Sequence, residues 1–137
     1  MHRHLVDTGV LIAFIDKNEA WHAEVGRALK TVRLPLITTY AVLTETFYFA
    51  QRIRGTEAIW SLVDDGTIKV VQIEEAELPA LHTLMTRYAD RPMDFADATL
   101  VHVAGREGIS SILTIDHDDF ETYRIGRNKR FRILPAR

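Results

Sequence analysis

Short apolar blocks alternate along the chain with longer stretches in which apolar positions recur at helical spacing. His4 to Val6 is one such block; it stops at the turn-like triplet Asp7-Thr8-Gly9 and reads as a buried strand. Val10 to Ile15 reads as a short helix and Ala20 to Thr31 as a longer one. Leu34 to Thr38 is strand-like, with Thr38 or Thr39 placed to cap a helix from Tyr40 to Arg54 that Gly55 ends. A further helix covers Glu57 to Val63, Asp65-Gly66 makes a turn, and Ile68 to Ile73 reads as a strand. Glu74 to Tyr88 and Phe95 to Glu107 are helical, with Arg91-Pro92 between them and Gly108 closing the second. Ser111 to Ile115 and Phe131 to Leu134 are the remaining strands.

Strands that alternate with helices predict an α/β sandwich built on a mainly parallel sheet. No repeat, low-complexity tract or Pro/Gly-rich linker interrupts the pattern, and 137 residues suit a single domain, taken as 1–137. The basic, then apolar, N-terminus imitates a secretory leader, but Asp7 breaks the apolar stretch and no small-residue cleavage site follows. Gly9 to Ile15 is far too short to span a bilayer. The absence of cysteine excludes disulfides and thiolate metal sites, and accords with a reducing cytoplasm.

The net charge of −2 gives no overall attraction to nucleic acid, but its distribution is uneven. No acid follows Glu121, whereas Arg124, Arg127, Lys129, Arg130, Arg132 and Arg137 do. The six histidines show no metal-ligand spacing, and His117 is expected to be an exposed loop residue. Trp21 and Trp60 are expected to serve packing.

The acids carry more information. In an open parallel sheet, ligands bind beyond the carboxyl ends of the strands. Asp7 ends the first strand and Asp116 ends the strand Ile112 to Ile115, so both should project over one edge. Glu45 interrupts an otherwise apolar helix, and Asp97 lies in the first turn of another behind the candidate N-cap Asp94. Asp118 and Asp119 follow within a turn of Asp116. Carboxylates gathered in this way repel one another unless a cation is present, and a hard divalent ion such as Mg²⁺ prefers oxygen ligands. Such an ion activates water and neutralises charge on a phosphodiester, which points to phosphodiester hydrolysis. Singly, each acid also has an ordinary reading as a turn, cap or surface residue.

The ordered set Val6-Asp7-Thr8-Gly9, the helix carrying Glu45, Asp94-Phe95-Ala96-Asp97-Ala98 and Leu113-Thr114-Ile115-Asp116 through Asp119-Phe120 resembles the PIN domain. Within that family the chain is most similar to the VapC-type toxins of bacterial toxin–antitoxin pairs. The resemblance implies a three-layer α/β/α sandwich and a Mg²⁺- or Mn²⁺-dependent endoribonuclease that cuts RNA. It further implies a homodimer silenced by a small antitoxin protein. Asp7, Glu45, Asp97 and Asp116 match the catalytic acids, with Asp7, Asp97 and Asp116 on the metal. Thr8, Asp94, Thr114 and Asp119 match supporting positions, and Asp119 is an alternative to Asp116 as the fourth acid. Arg124, Arg127, Lys129 and Arg130 become candidates for RNA phosphates beside the acidic pocket.

Other classes remain in view. Asp7-Thr8-Gly9 is the aspartic-protease triplet, but that fold is nearly all β-structure and the helical patterns oppose it. A phosphoacceptor receiver domain would need a middle-strand aspartate and a later lysine, neither of which can be placed. A PIN-like binding module with little turnover, or a structure-specific DNA nuclease, would carry the same acids.

Overall fold

The structure is a computed structural model that describes residues 3–137, so His2 lies outside the described residues. The strands are β1 (His4–Val6), β2 (Leu36–Thr39), β3 (Ile68–Val71), β4 (Ser111–Leu113), β5 (Arg124–Ile125), β6 (Lys129–Arg130) and β7 (Arg132–Leu134). Five of them form one sheet in the order β3-β2-β1-β4-β7, with every neighbouring pair parallel. β5 and β6 make a separate antiparallel ribbon. Seven helices accompany them among the described residues: α1 (Thr8–Ile15), α2 (His22–Leu29), α3 (Tyr40–Arg52), α4 (Thr56–Asp64), α5 (Leu78–Arg87), α6 (Phe95–Glu107) and α7 (His117–Thr122).

Successive strand residues point to opposite faces, and here both faces are covered. Leu5, Ile37 and Ile112 join Leu81 of α5, Leu100 and Val103 of α6 and Phe120 of α7 in one core. Their chain neighbours Val6, Leu36 and Leu113 join Val10 of α1, Val25 of α2 and Ile59 of α4 in the other. The result is the expected three-layer sandwich. Central strands buried on both sides explain why β1, β2 and β4 are apolar or Thr/Ser-rich and buried throughout, with no in–out alternation.

The strand order places a topological switch at the centre. From β1 the chain moves outward to β2 and β3; it returns on the other side of β1 as β4, with β7 beyond. The loops after β1 and β4 therefore diverge and leave a crevice at their carboxyl ends.

The structure also revises several local expectations. Helix α1 begins at Thr8, two residues early, because the Asp7 side chain accepts from the Thr8 N–H and caps it. The anticipated helix from Glu74 is a single 3₁₀ turn, Glu75–Glu77, followed by α5 with Pro79 in its first turn. Proline has no N–H to lose there, so the regular helix starts around it. Helix α7 and the β5–β6 ribbon were not anticipated; elements of two to six residues carry almost no periodicity. His117 is buried, contrary to the exposed loop position expected of it. Its two ring nitrogens lie 3.1 and 2.8 Å from the Ile115 and Pro135 carbonyl oxygens, and its ring lies 5.3 Å from that of Trp21. Among the described residues no helix is long and apolar enough to cross a membrane.

Leu5 is wholly buried on the central strand, within the core shared with α5, α6 and α7. Leu5→Ala should therefore cost about 2–5 kcal/mol of unfolding free energy, read from a urea midpoint at unchanged slope. A loss below ~1 kcal/mol would contradict this placement of the core.

Candidate functional site

The Asp7 backbone N–H donates to the Leu113 carbonyl at 2.9 Å, which extends the β1–β4 pairing to the last ordered position before the crevice. Its side chain is held from two directions. One carboxylate oxygen accepts from the Thr8 N–H at 2.8 Å and the other from the Thr114 hydroxyl at 3.1 Å. Thr114 Oγ1 in turn accepts from the Asp116 N–H at 3.0 Å, so one buried hydroxyl joins the ends of β1 and β4.

Asp97 arrives from α6. Asp94 is the N-cap, accepting from the Asp97 N–H at 2.7 Å, and Asp97 occupies the first turn on a helix buried among alanines, leucine and valines. Its carboxylate accepts the Tyr123 hydroxyl at 2.9 Å. Asp116 caps α7 by accepting from the Asp119 N–H, and the Asp119 carboxylate accepts from Arg91 Nε at 2.9 Å. One carboxylate oxygen from each of Asp97, Asp116 and Asp119 lies within 4.8 Å of the others. Both candidates for the fourth acid thus reach the cluster, but Asp119 already has a cation partner.

Glu45 comes from α3, which packs on α1 through Thr8. The Thr8 hydroxyl donates to the Val42 carbonyl at 3.3 Å and Thr46 lies within 3.5 Å of it. Asp7, Thr8, Glu45, Asp94, Asp97 and Asp116 all line one cavity of about 450 Å³. Gly9 permits this closeness: a Cβ there would stand 2.8 Å from Ile115 Cγ1, in the segment that carries Asp116.

The electrostatics are strained in one direction. Burial, with added repulsion from Glu45 and Asp116, pushes the Asp7 carboxyl up to about 7 against the two hydrogen bonds it accepts. Burial and the Asp7 and Asp94 charges push Asp97 up to about 8. Burial and the adjacent Asp119 carboxyl raise Asp116 to about 6. Burial and the nearby Asp97 raise the Tyr123 hydroxyl as well, so it stays a donor at neutral pH. Among the described residues no lysine or arginine forms an ion pair with Asp7, Asp97 or Asp116. A donor set made only of oxygens, with its negative charge uncompensated, fits a hard divalent cation.

Several residues at the site were not anticipated: Tyr123 and Arg91 as supports, and Asp16, Glu19, Phe49 and Arg52 along the cavity wall. Phe49 and Arg52 had a legible signal, lying four and seven residues after Glu45 on the same helix. None of Arg124, Arg127, Lys129 and Arg130 lines the acidic cavity. The Arg124 guanidinium turns back onto the carbonyls of Glu121, Thr122 and Tyr123, and Arg127 borders a separate groove with Arg87 and Arg106.

The model of the PIN domain matches residues 4–126. Ribonuclease VapC26 of Mycobacterium tuberculosis is 27% identical over 134 residues, covering 96% of this chain and 99% of that protein. Among solved structures, VapC20 of M. tuberculosis, a sarcin–ricin loop cleaving toxin, superposes with a TM-score of 0.74 at 22% identity. That match covers 84% of this chain and 91% of the other. DNA-bound VapBC of Salmonella typhimurium gives a TM-score of 0.65 at 20% identity, over 97% and 98% of the two chains. At these identities the structures share the fold.

The raised carboxyls have a consequence for stability. Asp7 and Asp97 hold protons in the fold to about 7 and 8, whereas the unfolded chain releases them near 4. In metal-free protein, these groups cost nothing below about pH 4, and stability falls as pH rises from there toward 8. Asp97→Asn should flatten the decline in Tm between pH 6 and 8.5, by roughly 3–5 °C for each kcal/mol relieved. Mn²⁺ should raise the wild-type Tm more at pH 8 than at pH 6. Parallel wild-type and variant curves would refute the assignment.

Proposed function

This chain belongs to the PIN domain family, and we propose that it is a divalent-cation-dependent endoribonuclease, the toxin of a toxin–antitoxin pair. The observation that carries the reading is the set of carboxylates from Asp7, Asp97 and Asp116 lining one cavity at the switch point, the first two buried and none, among the described residues, paired with a cation. The ribonuclease and toxin names borne by its relatives support the substrate. The same relatives support a small antitoxin as partner, since VapBC structures are among the neighbours. A cytoplasmic location accords with an RNA substrate, and a homodimer is the assembly proposed.

Asp7, Asp97 and Asp116 would hold the ion, Mg²⁺ or Mn²⁺. When bound, it supplies charge neutralisation at the phosphodiester and makes a neighbouring water more acidic. The chain's own groups set the geometry. Thr8 and Thr114 fix the Asp7 carboxylate at both oxygens, and Tyr123 fixes one oxygen of Asp97. Glu45 faces the cavity from α3, half-buried, where it can accept a proton from the attacking water and pass it to solvent. The water oxygen bonds to phosphorus while the sugar oxygen leaves and takes a proton from solvent, and no side chain is acylated or phosphorylated.

Purified protein should cut single-stranded RNA with Mn²⁺ or Mg²⁺ and not with EDTA, while flap DNA stays intact. Asp7→Asn and Asp97→Asn should each lower kcat/KM by roughly 100-fold or more. Retained cleavage after chelation, or in both variants, would overturn the reading; preference for the flap would move it to a DNA nuclease.

Thr114 is a positioning residue, so Thr114→Val should lower metal affinity and kcat/KM by about 10- to 100-fold. The weaker Mn²⁺ affinity, measured by calorimetry without RNA, separates this role from general loss of fold.

A further inference from the structure

The cavity that holds the acids has one cationic wall residue and seven carboxylates, yet that cation is paired with none of them. It is Arg52. Its Nη2 donates to the Tyr48 hydroxyl at 2.7 Å, and its guanidinium carbon sits 4.9 Å from the centre of the Tyr48 ring. A neutral phenol therefore orients the group while leaving its charge and most of its N–H donors uncommitted. By contrast, Arg91 at the other side of the site is taken up by Asp119.

Phe49 stands between Arg52 and Glu45 on the same face of α3. It is 41% exposed, borders both the acidic cavity and a neighbouring groove floored by Phe95, and meets the edge of Tyr48 at 5.3 Å between ring centres. Glu45, Phe49 and Arg52 recur at spacings of four and three, so they form one stripe. Seven residues of helix advance roughly 10 Å, about the reach of three stacked nucleotides at ~3.4 Å each.

We propose that Phe49 and Arg52 form a positioning strip for single-stranded RNA, on which a base stacks on Phe49 while Arg52 holds an adjacent phosphate. This rests on the ribonuclease reading. An exposed aromatic ring offers any base a stacking face, and a guanidinium makes paired hydrogen bonds to phosphate oxygens. A polyanion is the occupant that the charges select. It brings its own negative charge to the one wall position where a cation waits, and the divalent site beside it offsets the remaining repulsion. A protein segment laid on the same aromatic residues would leave that cation without a partner unless it supplied an acid.

The test uses a fluorescein-labelled single-stranded RNA of eight nucleotides, with binding followed by anisotropy in Ca²⁺ and cleavage in Mn²⁺. Phe49→Ala should weaken binding about five- to tenfold, the low end of the range for base–aromatic stacking, and act on KM more than kcat. Phe49→Trp should restore it. An RNA with one abasic position should lose the same factor on wild type and nothing further on Phe49→Ala. Arg52→Gln should reduce the slope of log affinity against log salt by about 0.7, the share of one phosphate contact, and Arg52→Lys should keep it. Wild-type cleavage with unchanged affinity and salt slope in these variants would overturn the strip alone. Binding that follows the predicted pattern without any cleavage would uphold the strip and overturn the nuclease reading. A wild type that neither binds nor cuts overturns both.

Discussion

Carboxylates gathered in one cavity, two of them buried, repel one another, and everything at this site is arranged around that repulsion. The central sheet supplies the rigidity needed to hold it. Asp7 follows a strand buried on both faces and is itself buried, so it cannot retreat without breaking the layer, and Asp116 is tied to it through the Thr114 hydroxyl. Asp97 is fixed just as firmly, by a helix that is buried along most of its length. The strain has no local outlet, which leaves protonation or a cation to relieve it.

The supporting groups are hydroxyls and backbone amides, never cations, at the three innermost acids. Thr114, Thr8 and Tyr123 orient oxygens without neutralising them. A lysine or arginine in those places would satisfy the charge permanently and remove the need for metal. The nearest committed cation, Arg91, is one acid removed, on Asp119. Charge is thus conserved at the centre and cancelled at the edge, and this distinguishes a ligand site from a structural ion-pair network.

Much of this was legible in the sequence, for reasons that can be named. A strand block ending in Asp, repeated at residues 7 and 116, combined with the switch-point rule to put two acids together without any knowledge of contacts. Asp94 and Asp97 were legible as the first turn of a helix, although capping alone gave no hint that Asp97 would be buried. Tyr123 was not legible, because its bond to Asp97 spans 26 residues and depends on the packing of a six-residue helix with no periodicity. His117 departs from the exposed loop position expected of it because its ring nitrogens meet the Ile115 and Pro135 carbonyls and its ring lies against Trp21, the last two being partners distant in sequence. The basic residues after Glu121 had no legible position: the ribbon pairs Arg124 with Arg130 and Ile125 with Lys129, and none of Arg124, Arg127, Lys129 and Arg130 lines the acidic cavity.

The hydrogen bond from Thr114 to Asp7 joins residues 107 apart in sequence. No partial chain can make it. During synthesis β1, α1 and α3 are complete before β4 exists, so Asp7 is made before its Thr114 partner and Glu45 before Asp97 and Asp116. The cluster closes only when the sheet accepts its fourth strand in chain order, after the greater part of the polypeptide has left the ribosome. Contact order thus sets the moment of assembly: the complete acidic site becomes available only once the chain is nearly finished.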